Sequence, residues 1–263
     1  MNRQPALFVS HGAPTIVIDN SPARDFLAGL AGGLPARPDA VVLISAHHDA
    51  SPASITSSAQ PTTIHDFGGF PEVLYRMRYP APGSPELARR ISLLLHNAGI
   101  ANRLDAERGL DHGAWTPLML AWPDAGIPVV QVSINSGETP EYHYRLGQAL
   151  GALRDSNILV IGSGAITHNL HAYFKGGYAA DAPAPPFVTE FLDWLDVHLL
   201  AGDHQAVLHA IGRAPHGTGN HPTMDHILPL FVALGAGGEE GKATKLHASV
   251  EHGVLAMDAW RFD

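Results

Sequence analysis

Short, strongly apolar runs rich in β-branched residues recur along this chain, and segments with helical spacing lie between them. Ala6–Ser10, Ala40–Ser45 (AVVLIS), Pro128–Ile134 (PVVQVSI) and Asn157–Ser163 (NILVIGS) have the length and uniform hydrophobicity of strands covered on both faces. Three of the intervening segments open on Ser21-Pro22, Ser84-Pro85 and Thr139-Pro140, each a hydroxyl side chain followed by a residue already shaped for the first helical turn. These predict helices from Pro22 to about Ala31, from Pro85 to about Asn97 and from Pro140 to about Arg154. Further helices are expected over His112–Trp122, Phe187–Leu200 and Thr223–Leu234. The tail from Ala243 to Phe262 reads as two strands around Glu251-His252-Gly253, a C-terminal β-hairpin. Alternation of this kind predicts an α/β fold with a mostly parallel central sheet flanked by helices. With no interdomain linker and no internal repeat, residues 1–263 read as a single domain. The Pro-rich stretch Asp181–Pro186 reads as a stiff surface loop, a connector or a lid.

Composition narrows the partners. The formal charge is −9 and the Lys and Arg residues are scattered, which disfavours nucleic acid and points to a small molecule. No apolar stretch reaches membrane-spanning length, and the expected compartment is the cytoplasm. The oligomeric state is left open. Cysteine is absent, so neither disulfides nor thiolate metal sites are available.

Histidine is the outlier, at 17 residues against 16 Lys and Arg together. Neutral imidazole is the commonest protein metal ligand, so placement decides its meaning. His11 directly follows the first strand, His47 and His48 the second, and His168 lies a few residues past the fourth. Ligands of open α/β sheets bind beyond the carboxyl ends of the strands. Each histidine alone reads as an ordinary hydrogen-bonded loop residue, but coincidence at three strand ends points to one shared crevice. A fourth cluster, PHGTGNHPTMDH, places His226 near the start of the last helix and leaves His216 and His221 in a loop, exposed or behind the ligands. His65 and Phe70 in TIHDFGGFP, and His112 in LDHGAW, bring histidine beside aromatic residues and suit a planar aromatic ligand. Loop-to-core anchoring explains them equally well.

Together these pieces resemble the extradiol aromatic ring-opening dioxygenases of the DOPA 4,5-dioxygenase type, in the superfamily of the protocatechuate 4,5-dioxygenase catalytic subunit. The matching motifs run nearly the length of the chain in order: ALFVSHGAPT, VVLISAHH, TIHDFGGFP, YPAPGSPELA, LDHGAWTPL, PVVQVSIN, GSGAITHNL and HPTMDHILPL. The resemblance implies metal ligands at His11, His47 and His226. It implies acid–base work for His168, also a candidate fourth ligand to zinc, and places His65, Phe70 and His112 on the substrate side. His48 departs from the pattern, where relatives commonly carry Trp, and this bears on pocket shape and substrate. The implied chemistry is ring cleavage of a catechol-type diol by O2 at Fe(II), with Zn(II) able to occupy the same site in isolated protein. Which catechol is used, and whether cleavage is 4,5 or 2,3, is left open. The alternatives are a zinc hydrolase using the same pocket, for which only Asp49 and Asp225 stand near as carboxylate bases, and a non-enzymatic binding protein of the Memo type.

Overall fold

The computed structural model describes residues 3–263. In chain order its strands are β1 (Ala6–Ser10), β2 (Ala40–Asp49), β3 (Ala53–Thr56), β4 (Asn102–Asp105), β5 (Val129–Ile134), β6 (Ile158–Gly164), β7 (Ala243–His247), β8 (Val250–Glu251), β9 (Leu255–Ala256) and β10 (Ala259–Phe262). Eight of them form one sheet in the order β4-β3-β5-β2-β6-β1-β10-β7. The middle four, β5, β2, β6 and β1, are mutually parallel. β3 runs antiparallel to β5 on one side and β10 antiparallel to β1 on the other. The expected C-terminal hairpin is the β10–β7 pair, with the small β8–β9 hairpin inserted between its strands.

Both faces of this sheet are covered, which is why its central strands are dominated by apolar residues. Alternate residues of β1 serve different layers. Ala6 and Phe8 join the core beneath the helices Pro85–Asn97, Pro140–Leu150, Pro186–Leu200 and Leu228–Gly237. Leu7 and Val9 join the core beneath Pro22–Gly29 and His112–Ala121. The hydroxyls of Ser21, Ser84 and Thr139 accept from the backbone N–H groups of Arg24, Leu87 and Tyr142, as expected of N-caps.

Two of the expected helices differ from expectation. The segment from Pro140 stops being α-helical at Leu150 and continues as a tighter 3₁₀ stretch through Ser156. The final helix begins at Leu228 rather than near Thr223 and runs to Gly237. Gly235 lies inside it, where the Tyr144 carbonyl approaches so closely that a Cβ would stand 2.0 Å from it. Close helix packing outweighs the usual tendency of glycine to end a helix.

Candidate metal centre

Three histidine-bearing segments meet at the carboxyl ends of the parallel strands, and local backbone devices aim each one. His11 is the first residue past β1. His47 lies within the long β2, where pairing with β5 jumps from Ser45↔Ser133 to Asp49↔Ile134. The three residues Ala46–His48 therefore bulge out of register, and such a bulge re-aims a side chain at a sheet rim. His226 sits in the turn before the last helix and rests on β6, its carbonyl accepting from the Ala165 N–H at 2.9 Å. A Cβ on Gly164 would stand 2.1 Å from that carbonyl, so the close approach needs glycine there. Gly113 plays the same part under the other two ligands, where a Cβ would lie 2.4 Å from Ser45 Oγ and little more than 3 Å from the His47 and His11 rings.

One ring nitrogen each of His11, His47 and His226 falls within 4.8 Å of the others. The His11 and His47 Nε2 atoms stand 3.1 Å apart. Ser163 donates its hydroxyl to the Gly113 carbonyl at 2.5 Å, so its oxygen is left to accept from His11 Nδ1–H at 3.0 Å. That bond leaves the His11 Nε2 lone pair facing His47. Asp225 accepts from His226 Nδ1 in the same way and frees the opposite nitrogen. Outer partners that hold the Nδ1 proton and turn Nε2 inward are the usual support of histidine ligands. The donor set therefore fits a bound metal ion.

Electrostatics point the same way. Burial, followed by the neighbouring histidines, pushes His11 well below its ordinary pKa and His47 down to about 2. Both imidazoles are thus held neutral, the form in which they bind metal. Burial would raise the Asp66 carboxyl, but hydrogen bonds from His112 outweigh it and hold the group at about 2. Asp225 is likewise kept ionised by His226 against the effect of burial.

The remaining expected residues fall in layers around this centre. The His168 ring stacks on His226 with centroids 3.4 Å apart. Burial and the adjacent His226 push it down to about 3, so it is a weaker base than an ordinary histidine. His112 packs 4.0 Å from the His47 ring, centroid to centroid, and 5.5 Å from His11. Phe67 meets His112 edge-on at 5.7 Å, whereas Phe70 packs behind it, 5.5 Å from Phe67. His65 also lies in the rear layer, against Phe67 and Trp115, with Nε2 engaged by the Met77 carbonyl at 3.0 Å. His221 is buried rather than loop-exposed, its Nε2 bonded to the Ile166 carbonyl at 2.7 Å, while His216 is exposed. His48 turns the other way from His47 and is 2% exposed, beside an open cavity of about 380 Å³ also lined by Ile64 and Arg108.

Asp66 and Phe67 are site residues that sequence reasoning passed over, although both lie in TIHDFGGFP. Asp111 was also missed. It is fully buried, accepts from Ser45 Oγ at 2.6 Å, Gln131 Nε2 at 2.8 Å and Arg108 at 3.2 Å, and so anchors the strand end that carries His47.

An α/β fold with a cluster of histidines able to hold a metal ion, beside an aromatic layer, is what this geometry defines. Comparison with known proteins narrows the class. Residues 5–257 match the family described as the catalytic LigB subunit of aromatic ring-opening dioxygenase. A 4,5-DOPA dioxygenase extradiol of Beta vulgaris is 40% identical over 99% of this chain and 97% of its own. The protein of the same description from Escherichia coli (strain K12) is 39% identical over 97% of this chain and 93% of its own. The crystal structure of an uncharacterized protein, JW3007, from Escherichia coli K12 superposes with a TM-score of 0.79 at 34% identity, covering 99% of this chain and all of that one. The chain therefore belongs to the LigB family and is an extradiol aromatic ring-opening dioxygenase.

Proposed function

We propose that this enzyme opens the ring of a DOPA-like catechol with O2, at a metal held by His11, His47 and His226. The observation that carries the assignment is the convergence of these rings with two of their Nδ1 protons held outward, by Ser163 and Asp225. Three neutral nitrogen ligands leave open positions on an octahedral ion, which suits Fe(II) as the working metal, and zinc competes for the same set. When bound, the metal supplies a template and charge sink for the diol and O2.

The chain's own groups then divide the work. Phe67, backed by Phe70 and His65, offers an aromatic wall beside His112. His112 faces the diol. His168, stacked on the ligand His226 and neutral at physiological pH, accepts a hydroxyl proton and later returns it. The hydrolase and pure binding readings are not favoured, since the relatives matched over the whole chain are ring-opening dioxygenases. Among the described residues no helix is long and apolar enough to cross a membrane.

The test is anaerobic reconstitution with Fe(II), metal analysis, then a panel of catechols under air. A yellow ring-cleavage product with one O2 consumed per diol is the expected result. Metal-replete protein that turns over no diol in the panel would count against it.

A further inference from the structure

The helix His112–Ala121 has an unusual N-terminus. Asp111 occupies the N-cap position, yet its side chain makes no capping bond, because Ser45, Gln131 and Arg108 claim it. The cap comes instead from Asp66, 46 residues upstream, whose Oδ1 accepts from the His112 backbone N–H at 2.9 Å. Its other oxygen, Oδ2, accepts from His112 Nδ1 at 3.0 Å. A cap alone needs one oxygen; here both oxygens of one carboxylate grip one residue, backbone and ring together. An ionised carboxylate only accepts hydrogen bonds, so the proton between them belongs to His112 Nδ1. His112 Nε2 has no protein partner among the described residues, and its ring lies between His47, His11 and Phe67.

We propose that Asp66 is a positioning residue, which fixes His112 with Nδ1–H toward its carboxylate so that Nε2 stands in the crevice as a hydrogen-bond acceptor for a free substrate hydroxyl. The inference deepens the diol-pocket reading and rests on it for the substrate, but the tautomer itself belongs to the protein. It has a specificity consequence. An acceptor nitrogen rewards a substrate O–H and gains nothing from an ether oxygen, so the free diol is preferred over its monomethyl ether at that position.

Asp66→Asn isolates the effect. If the amide oxygen keeps the backbone cap, the amide NH2 replaces Oδ2 and presents a donor to Nδ1, which drives the proton to Nε2. Loss of the proper tautomer while geometry is kept is the known cost of exchanging such a carboxylate for an amide in a histidine dyad. The readout is long-range ¹H–¹⁵N correlation on zinc-loaded, ¹⁵N-histidine-labelled protein, with His112→Gln to assign the signal. Wild type is expected to carry the His112 proton on Nδ1 and Asp66→Asn on Nε2, with equal metal content in both. In the iron enzyme kcat/KM should fall roughly 10²-fold or more, Asp66→Glu should restore part of it, and the preference of the zinc-loaded protein for catechol over its monomethyl ether should shrink.

A wild-type proton on Nε2, or an Asp66→Asn spectrum identical to wild type, overturns the proposal. Metal loss in Asp66→Asn also overturns it, because Asp66 would then be a ligand. Should that variant fail to fold, the wild-type spectrum alone still decides. A wild type with the expected tautomer but no turnover of any diol leaves the positioning assignment standing and removes the dioxygenase reading instead.

Discussion

The two ends of the central sheet bury polar side chains in opposite ways. At the carboxyl ends of the parallel strands, His11 and His47 aim ring nitrogens at each other across 3.1 Å, and no protein group satisfies both. At the amino ends, Arg154 is 1% exposed, and each donor group of its guanidinium is placed on a backbone carbonyl. Nε bonds to Gln4, Nη1 to Ala236 and Gly237, and Nη2 to Phe262. Those carbonyls belong to the entry into β1, the C-terminal end of the last helix and the end of β10. A buried group whose partners are all internal does structural work. One whose partners are other lone pairs awaits something from outside. Burial depresses both kinds of group, the arginine to about 10 and His47 to about 2, so a perturbed pKa does not separate them; the hydrogen-bond inventory does.

The most severe way to break this contrast is at the incomplete end. His47→Ala should remove bound metal almost entirely and abolish turnover, measured by metal analysis after reconstitution, while the far-ultraviolet circular dichroism stays native. His47 is half-buried at a bulge rather than in the core, so little packing is lost. Full metal retention in this variant would mean that the converging nitrogens are not the ligand set.

His168→Gln sharpens the contrast within the site. Its ring stacks on His226 but stands outside the His11–His47–His226 group, so metal content should be largely kept. Turnover should fall by about 10²–10⁴, the usual worth of a positioned acid–base group. Parallel loss of metal and rate would instead make it a ligand.

At the satisfied end the loss should appear in stability and not in metal affinity. Arg154→Met fills a similar volume but leaves four buried carbonyls without donors, a change that costs on the order of 3–5 kcal/mol. Chemical denaturation of the metal-free protein reads it. Metal stoichiometry of the folded fraction should be unchanged, because the clamp and the metal centre lie at opposite ends of β1 and β6. A variant as stable as wild type would show that the carbonyls find other partners.

How far the sequence reveals these two ends follows from the range of the forces involved. β1, β2, β5 and β6 are legible because burial on both faces writes an unbroken apolar run. β3 (ASIT) and the edge strand β4 (NRLD) are short, and β4 is half-exposed and polar, so neither carries such a signal. His11, His47 and His168 stand out because each follows an apolar, strand-like run in the sequence, although β2 itself extends past His47. His226 was reached only through family resemblance, since its position depends on a turn that rests on Gly164. The Asp66–His112 pair is set by two loops that meet only in the folded chain, and no local periodicity marks it. Choosing Phe70 over Phe67 had the same cause: which of two nearby rings faces inward depends on how the Gly68-Gly69 loop turns. Arg154 went unnoticed as well, because a buried arginine held by carbonyls needs no acidic partner in the sequence.

The smallest effect is expected at His216, which belongs to neither end. It is exposed and pairs only with the exposed Glu190, at 3.1 Å. Its backbone has a φ of +56°, in the left-handed region, where histidine and asparagine are tolerated better than most residues. Asparagine is therefore the informative replacement, since alanine would mix a backbone penalty with the loss of the side chain. An exposed ion pair contributes about 0–1 kcal/mol and depends on salt. His216→Asn should accordingly change stability by no more than roughly 0.5 kcal/mol, with metal content and kcat as in wild type. The histidine abundance of this chain would otherwise invite counting every imidazole in the PHGTGNHPTMDH cluster as a ligand. Of its three, His226 faces the metal centre, His221 is spent on a carbonyl behind it, and His216 points to solvent. A metal loss in His216→Asn comparable to that in His47→Ala would mean that solvent exposure and lack of convergence do not distinguish ligand from bystander here.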